Sequence, residues 1–406
     1  MEIRNLFKDL FEKNNNKFKK YDKINLDRFK LLSGDDILYS KNKYKNVYAN
    51  KVARTSIDRI ATYMAKIIPQ HIKGEITNKI NGDINNLISV RPNEIMTRYD
   101  FIYKVISQLY TYNNAFIFIK KDKEGFITGF YPILSSEIKL LEDKNGDKFI
   151  RFKFKDSQVY TLPYDEIIHL KRFYNENDIF GTTNEILETN IETYDTTIDG
   201  INKSIKLTNS VRGILQTDAN LKQSDTVDVR ERFVKDFIGR SGKGIACLDT
   251  SSKFTPINIT PINISEEQIK RISSEIYDYF GISEGIIRNQ YNEEEYNSFI
   301  QGVIEPLSIQ LEEAFSTAIF TDRAIKQGHR ISFYFNRLSN SSLETKAKIL
   351  NLVAPIGSLS VDEIRETIGF KAIGGEQGQK VIQSLNNIDS TIANDYQLGK
   401  QKGDEE

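Results

Sequence analysis

Apolar residues between positions 265 and 320 recur at helical spacing twice, with a short acidic, glycine-bearing interval between the two runs. Ile269, Ile272, Ile276 and Tyr279 make the first stripe, and Ser265 with Gln268 has the form of a capping box, so a helix is predicted from there to Phe280-Gly281. Residues 282–292 predict a loop. The second stripe, Tyr296, Phe299, Val303, Leu307, Leu311, Ala314 and Phe315, runs straight through Pro306. A mid-helix proline removes the bond to the carbonyl of residue 302 and crowds it. The pattern therefore predicts one long helix kinked at Gly302 and Pro306, with the glycine easing the crowding.

Upstream the pattern changes several times. Leu6, Phe7, Leu10 and Phe11 form a short stripe followed by the polar run 13–22, which cannot pack alone, so residues 1–46 read as an arm that docks on the body or on a neighbour. Ala53, Ile57, Ile60, Ala61, Met64 and Ile67 mark one face of a helix stopped by Pro69, with a strand at 71–75. Phe101, Ile102, Val105, Leu109 and Tyr112 predict a helix over 97–112, between the turn Arg91-Pro92-Asn93 and an abrupt end at Asn113-Asn114. The period then drops to two. Segments 115–120, 125–132, 138–142, 149–155 and 158–162 read as short strands, with Asn145-Gly146 as a hairpin turn and 165–170 as a further strand or edge segment carrying His169. Beside Ile167 and Ile168, that histidine reads as a hydrogen-bonded, half-buried residue rather than a base.

Residues 183–210 predict a long helix whose apolar positions, Leu187, Ile191, Tyr194, Ile198, Ile201 and Ile205, are spaced 4, 3, 4, 3 and 4. This heptad-like seam asks for a similar helix beside it, from this chain or another copy, although packing against its own domain also satisfies it. A small α/β module follows: strands at 211–216, 244–248 and 254–259, and a helix at 224–238 with Val227, Phe233, Val234 and Phe237 inward. Its run Gly239-Arg240-Ser241-Gly242-Lys243-Gly244 is not a phosphate loop. Phe237 stands where a Walker loop needs glycine, and Gly244 where it needs serine or threonine. Ile331, Phe333 and Phe335 alternate as a strand, and 342–353 and 361–368 read as helices.

Composition narrows the functional classes. At 406 residues and 39% hydrophobic content the chain can bury a core in two or three compact units. A single cysteine, Cys247, excludes an internal disulfide framework and fits a reducing compartment, while three histidines leave little for a metal, so no cofactor or metal is expected. Apolar runs fall far short of the roughly 20 residues of a membrane helix, which predicts a soluble, non-secreted protein with no membrane contact. Lysine plus arginine equals aspartate plus glutamate at 56 each, so no bulk positive field exists to grip a polyanion.

Several local patterns resemble, in order and spacing, those of the portal proteins of tailed bacteriophages, in the shorter family common in long-tailed phages. They are the opening helix at 46–69, Leu109-Tyr110-Thr111-Tyr112-Asn113-Asn114-Ala115, Glu166-Ile167-Ile168-His169-Leu170, Tyr279-Phe280-Gly281-Ile282, Ile304-Glu305-Pro306-Leu307, the run 357–365 and Gly374-Gly375-Glu376. The likeness covers 47–375. This sequence departs from the family in having the Asn113-Asn114 pair where glycine is usual, Ser283 for a proline, and Val361 and Asp362 for a proline-asparagine pair.

The resemblance implies an α+β fold with a mixed helix and antiparallel-sheet wing, a helical stem, a small α/β clip, a long kinked helix and a helical crown. In chain order it implies arm 1–46, wing 47–182, first stem helix 183–210, clip 211–262, second stem helix 263–280, tunnel loop 281–292, kinked helix and wing strand 293–338, crown 339–385 and flexible tail 386–406. It further implies a dodecameric ring in the virion at one capsid vertex, assembled in the host cytoplasm, through which double-stranded DNA is packaged and ejected without sequence specificity. The implied partners are the large terminase, head-tail adaptor proteins, and the major capsid and scaffold proteins.

A DNA conduit needs weak, repeated polar contacts rather than strong positive charge, which zero net charge suits. Ser283, Glu284, Arg288, Asn289, Gln290 and Asn292 are the candidate channel residues. Asn292 also reads as a helix cap, and Glu293, Glu294 and Glu295 as first-turn acids favoured by the helix dipole. The seam alone also fits a non-viral helical adaptor or oligomeric scaffold. A nucleic-acid enzyme fits less well, because the acidic residues fall at caps and exposed faces rather than in paired sets.

Overall fold

The computed structural model of the protein describes residues 30–31, 45–154, 158–175, 179–208, 213–217, 223–237, 252–256, 265–333 and 343–383. Strand β1 (Lys30–Leu31) precedes helices α1 (Lys45–Ala49) and α2 (Lys51–Ala65). The Asn50 side chain caps α2 by accepting from the backbone of Val52 and Ala53 at 2.9 and 3.1 Å. All six apolar positions predicted for this helix face are buried. Strands β2 (Gln70–Lys73) and β3 (Glu75–Lys79) lead to α3 (Asp83–Ser89), which the sequence pattern does not announce, and to α4 (Arg98–Tyr112). Thr97 caps α4, and Asn113 ends it in the left-handed conformation at φ 56°.

Six strands follow: β4 (Asn114–Lys121), β5 (Ile127–Ile133), β6 (Glu137–Glu142), β7 (Lys148–Lys153), β8 (Val159–Pro163) and β9 (Ile167–Lys171). They form two antiparallel sheets, in the orders β5-β4-β9 and β1-β6-β7-β8. Strand β4 is apolar on both faces because it is central: Phe116 and Phe118 enter a core between the two sheets, while Ala115, Ile117 and Ile119 enter a larger core with α2 and α4. The two residues of β1 pair with Glu142 and Leu141, which joins this part of the arm to the body.

Helix α5 (Glu185–Thr208) leaves the sheets, and a module of β10 (Gly213–Thr217), α6 (Gln223–Phe237) and β11 (Ser252–Pro256) separates it from α7 (Glu266–Phe280). Among the described residues β10 and β11 pair antiparallel as a two-stranded sheet. Phe233 of α6 packs on Phe254 with ring centroids 5.1 Å apart. Val227 and Val234, expected inward, are instead 40% and 44% exposed. The glycine run 239–244, Cys247, the strand expected at 244–248, the apolar stripe of the arm and the tail 386–406 lie outside the described residues.

Beyond α7 come α8 (Glu284–Arg288), α9 (Glu293–Phe299), a π-helical turn (Ile300–Ile304) and α10 (Glu305–Ile319), the last three continuous. Helix α11 (Asp322–Lys326) and strand β12 (His329–Ser332) return to the body, where β12 adds to β2 in the order β12-β2-β3. Ser316 of α10 fastens this return by accepting from the Ile331 amide at 2.9 Å. Helices α12 (Leu343–Val353) and α13 (Val361–Ile368) flank strand β13 (Ile356–Ser360), and α14 (Gly375–Gln379) precedes β14 (Val381–Gln383), which pairs with β13. The fold is thus α+β with small antiparallel sheets.

Candidate functional site

The heptad seam finds its partner within the chain. Leu187 and Ile191 of α5 are buried with Ile276 and Phe280 of α7 in the larger core, and Tyr194 packs against its edge. Farther out the seam opens: Ile198 and Ile201 are half-buried and Ile205 is 54% exposed. The two helices run antiparallel, because Tyr279 at the end of α7 donates its hydroxyl to Asn184, just before the start of α5, at 2.5 Å.

That contact belongs to a buried polar joint where both helices meet the sheets. Asn113 donates to the Thr182 carbonyl at 2.8 Å and to the Asn184 side-chain oxygen at 2.5 Å, and Asn184 donates to the Thr111 carbonyl at 2.6 Å. An asparagine serves here in place of glycine because its short polar side chain tolerates the left-handed region and bonds locally. The Arg172 guanidinium lies 3.8, 4.7 and 5.7 Å from the ring centres of Tyr110, Phe173 and Tyr279. Burial pulls its pKa below the ordinary value. Gly181 packs so closely that a Cβ there would collide with the carbonyls of Arg172 and Asn113.

His169 sits beside this joint, stacked on Phe116 with centroids 4.2 Å apart. Asn114 uses its amide nitrogen on the Gly181 carbonyl, so its oxygen accepts from His169 Nε2–H at 3.0 Å, and Nδ1 accepts from the Tyr164 hydroxyl at 2.9 Å. Burial first, then Lys171, holds this imidazole well below its ordinary pKa, so it is a neutral structural residue.

The interval expected as a loop is a folded corner. Gly281 closes α7 at φ 69°, with its amide bonded to Asp278 and that of Ile282 to Tyr277, a Schellman termination. Ser283 then caps α8 by accepting from the Ile286 amide, and Glu284 pairs with Arg288 at 2.6 Å across one turn. Ile286 and Ile287 are buried in the larger core. Asn289 turns left-handed at φ 56°, and Gln290 closes the corner through a 2.9 Å bond from its amide to the Gly285 carbonyl. Asn292 and Glu295 form a reciprocal capping box for α9. Gly285 is tightly placed: a Cβ there would lie 2.6 Å from a Glu295 carboxylate oxygen and 3.0 Å from the Gln290 carbonyl, so the capping carboxylate would have to shift.

Ser283, Glu284, Arg288, Asn289, Gln290 and Asn292 are all exposed, so the corner has one apolar face turned inward and one polar face turned out. On the inner side Arg59 Nε donates to the Ile287 carbonyl at 3.2 Å, and the Tyr63 and Tyr291 hydroxyls bond at 3.1 Å. Burial first, then the Tyr291 bond, raises the Tyr63 phenol above its usual range. Sequence reading misses Arg59, Tyr63, Tyr291 and Gly285, because each partner pair is joined only by the tertiary fold.

Pro306 lies at the start of α10, directly after the π turn, and it is the turn that accommodates it. The Glu305 amide reaches back five residues to Ile300, widening the helix where the proline lacks a donor. A Cβ added at Gly302 would meet open space around the helix. Among the described residues no group of three or more His, Cys, Asp or Glu is gathered as a metal would require, and no helix is long and apolar enough to cross a membrane.

A profile of the family described as Phage portal protein matches residues 51–369 of the chain. The fold is similar to that of a chain in the neck of an empty gene transfer agent particle computed with C6 symmetry, with a TM-score of 0.62 at 14% identity, covering 83% of this chain and 96% of that one. It is also similar to a chain in the neck of the native particle computed with C12 symmetry, with a TM-score of 0.60 at 15% identity and the same coverage. No curated protein matches the sequence.

Proposed function

The chain belongs to the phage portal protein family, and from that premise we propose that copies of it form a twelve-membered ring at one capsid vertex through which DNA enters and leaves. The match over residues 51–369 carries this reading, because it spans every element from α2 to the end of α13. The likeness to a neck structure computed with C12 symmetry supports the copy number.

Within such a ring we read residues 47–182 as the wing, α5 and α7 as the stem, 211–262 as the clip facing the packaging motor and later the head-tail adaptors, and 339–385 as the crown. The corner 281–292 then lines the channel with α9 and α10. Its exposed set supports this, since serine, asparagine, glutamine and one cation neutralised by Glu284 offer short contacts that a polyanion slides past. The part played is mechanical, and no residue is assigned a catalytic step.

Negative-stain imaging of the purified protein, and of the vertex in particles, tests the proposal. Rings with a central hole are expected. Monomers or dimers at every concentration, with no annulus in the particle, would overturn it.

A further inference from the structure

Arg59 and Tyr63 lie one turn apart on α2, and their partners Ile287 and Tyr291 lie the same four residues apart on the corner. The corner is thus gripped at its middle and near its C-terminal end by one face of one helix. We infer that Arg59 and Tyr63 are positioning residues that clasp the 281–292 corner and fix how far its polar face stands into the channel; the inference rests on the reading that this corner lines the channel.

Three observations carry it. The clasp is preset, because the Tyr63 ring packs edge-on against Phe299 at 5.2 Å and near Tyr296 at 6.2 Å, while Tyr291 stacks on Tyr296 at 5.5 Å and 19°. Both hydroxyls are therefore aimed before they meet. The corner's other hydrogen bonds lie within itself or run to the adjoining ends of α7 and α9, and its remaining hold on the body is the burial of Ile286 and Ile287, which is non-directional. Left-handed residues, Gly281 before α8 and Asn289 between the two gripped positions, set the path of the chain through the corner. Removing the directional bonds leaves a corner that is attached but free to rock.

The test uses full-length Tyr63→Phe, Tyr291→Phe and the double variant, which keep every ring, together with Arg59→Met. Hydrogen exchange of residues 284–291 in the purified protein should quicken about five-fold in each tyrosine variant, as expected for one lost hydrogen bond, and no further in the double variant. Arg59→Met should act additively with them. Thermal midpoint and ring assembly should stay at the wild-type values. In particles, each variant should retain less than half the wild-type DNA. Unchanged exchange, or tyrosine effects that multiply, overturns the clasp. Quickened exchange with normal DNA retention overturns the positioning role and leaves a structural contact. If the wild-type protein itself forms no ring, the channel reading falls and the inference with it, whatever the exchange shows.

Discussion

The Tyr279 hydroxyl donates to the Asn184 side-chain oxygen at 2.5 Å, tying the last turn of α7 to the residue that introduces α5. Asn184 is buried and bonds Asn113 through the same oxygen and Thr111 through its nitrogen, so any gap in the joint leaves a polar atom without water or protein to satisfy it. Tyr279→Phe is expected to cost about 1–3 kcal/mol and Asn184→Ala more, because the second change removes at once a partner of the Asn113 amide, of the Tyr279 hydroxyl and of the Thr111 carbonyl. Urea unfolding of the two variants checks the order. Equal stability of both with the wild type would remove the joint as the anchor of the helices.

Acid should destabilise the fold earlier than carboxylates alone would. Burial, with His329 second, lowers the pKa of His71, and burial lowers that of His169 further. Because each group takes its proton more readily unfolded than folded, the stability it contributes is complete above its ordinary value of about 6.5 and is lost as pH falls below it. The expected slope is about 1.4 kcal/mol per pH unit for each histidine while only the unfolded form is protonated. Denaturant midpoints should be flat between about pH 7 and 8 and fall below about pH 6.5. A rise in stability on acidification over that range would contradict the assignment of both imidazoles as neutral.

Where the sequence was legible, both ends of an element carried their own signals. Helix α4 has Thr97 to cap it, an apolar face in between and Asn113 to end it left-handed, and its predicted and observed limits differ by one residue. Ser265 and Gln268 announce α7 in the same way. Helix α8 shows the opposite case. Five residues are too few for a periodic stripe, and Arg59, which bonds to them, lies more than 200 positions away in the chain. The π turn escapes pattern reading for a different reason: one extra residue in a turn scarcely disturbs an apolar stripe, so Pro306 advertises a break in the hydrogen-bond ladder but not the wider turn that precedes it. Val227 and Val234 mislead because amphipathicity shows that a face wants cover, not that this chain supplies it.

Two glycines, one in the corner and one in the π turn, make opposite predictions. A Cβ at Gly302 meets open space in a helical turn, so Gly302→Ala should be neutral or stabilise the chain by up to about 1 kcal/mol through reduced backbone freedom. At Gly285 the same methyl group collides with the Glu295 carboxylate and the Gln290 carbonyl, so Gly285→Ala should destabilise and open the corner. Thermal unfolding of the pair decides the matter. If Gly302→Ala is the more harmful in the isolated protein, the π turn requires glycine for a reason other than space.

Arg288 offers the cleanest separation of stability from function. Its side chain is 61% exposed and pairs with the Glu284 carboxylate within α8, an exposed ion pair of the kind worth about 0–1 kcal/mol. Arg288→Ala should therefore leave the unfolding midpoint almost unchanged. It also frees the Glu284 carboxylate, so a corner facing the polyanion would become net negative and repel it. The expected outcome is intact rings with slower packaging or reduced DNA retention, and restoration of both by the further change Glu284→Gln, which removes the unpaired charge without returning a cation. Rescue by that second substitution would show that the balance of charge on the rim matters and not a specific arginine–phosphate bond. Failure of rescue would assign the contact to Arg288 itself, and normal DNA handling by Arg288→Ala alone would take the residue out of the channel's working surface.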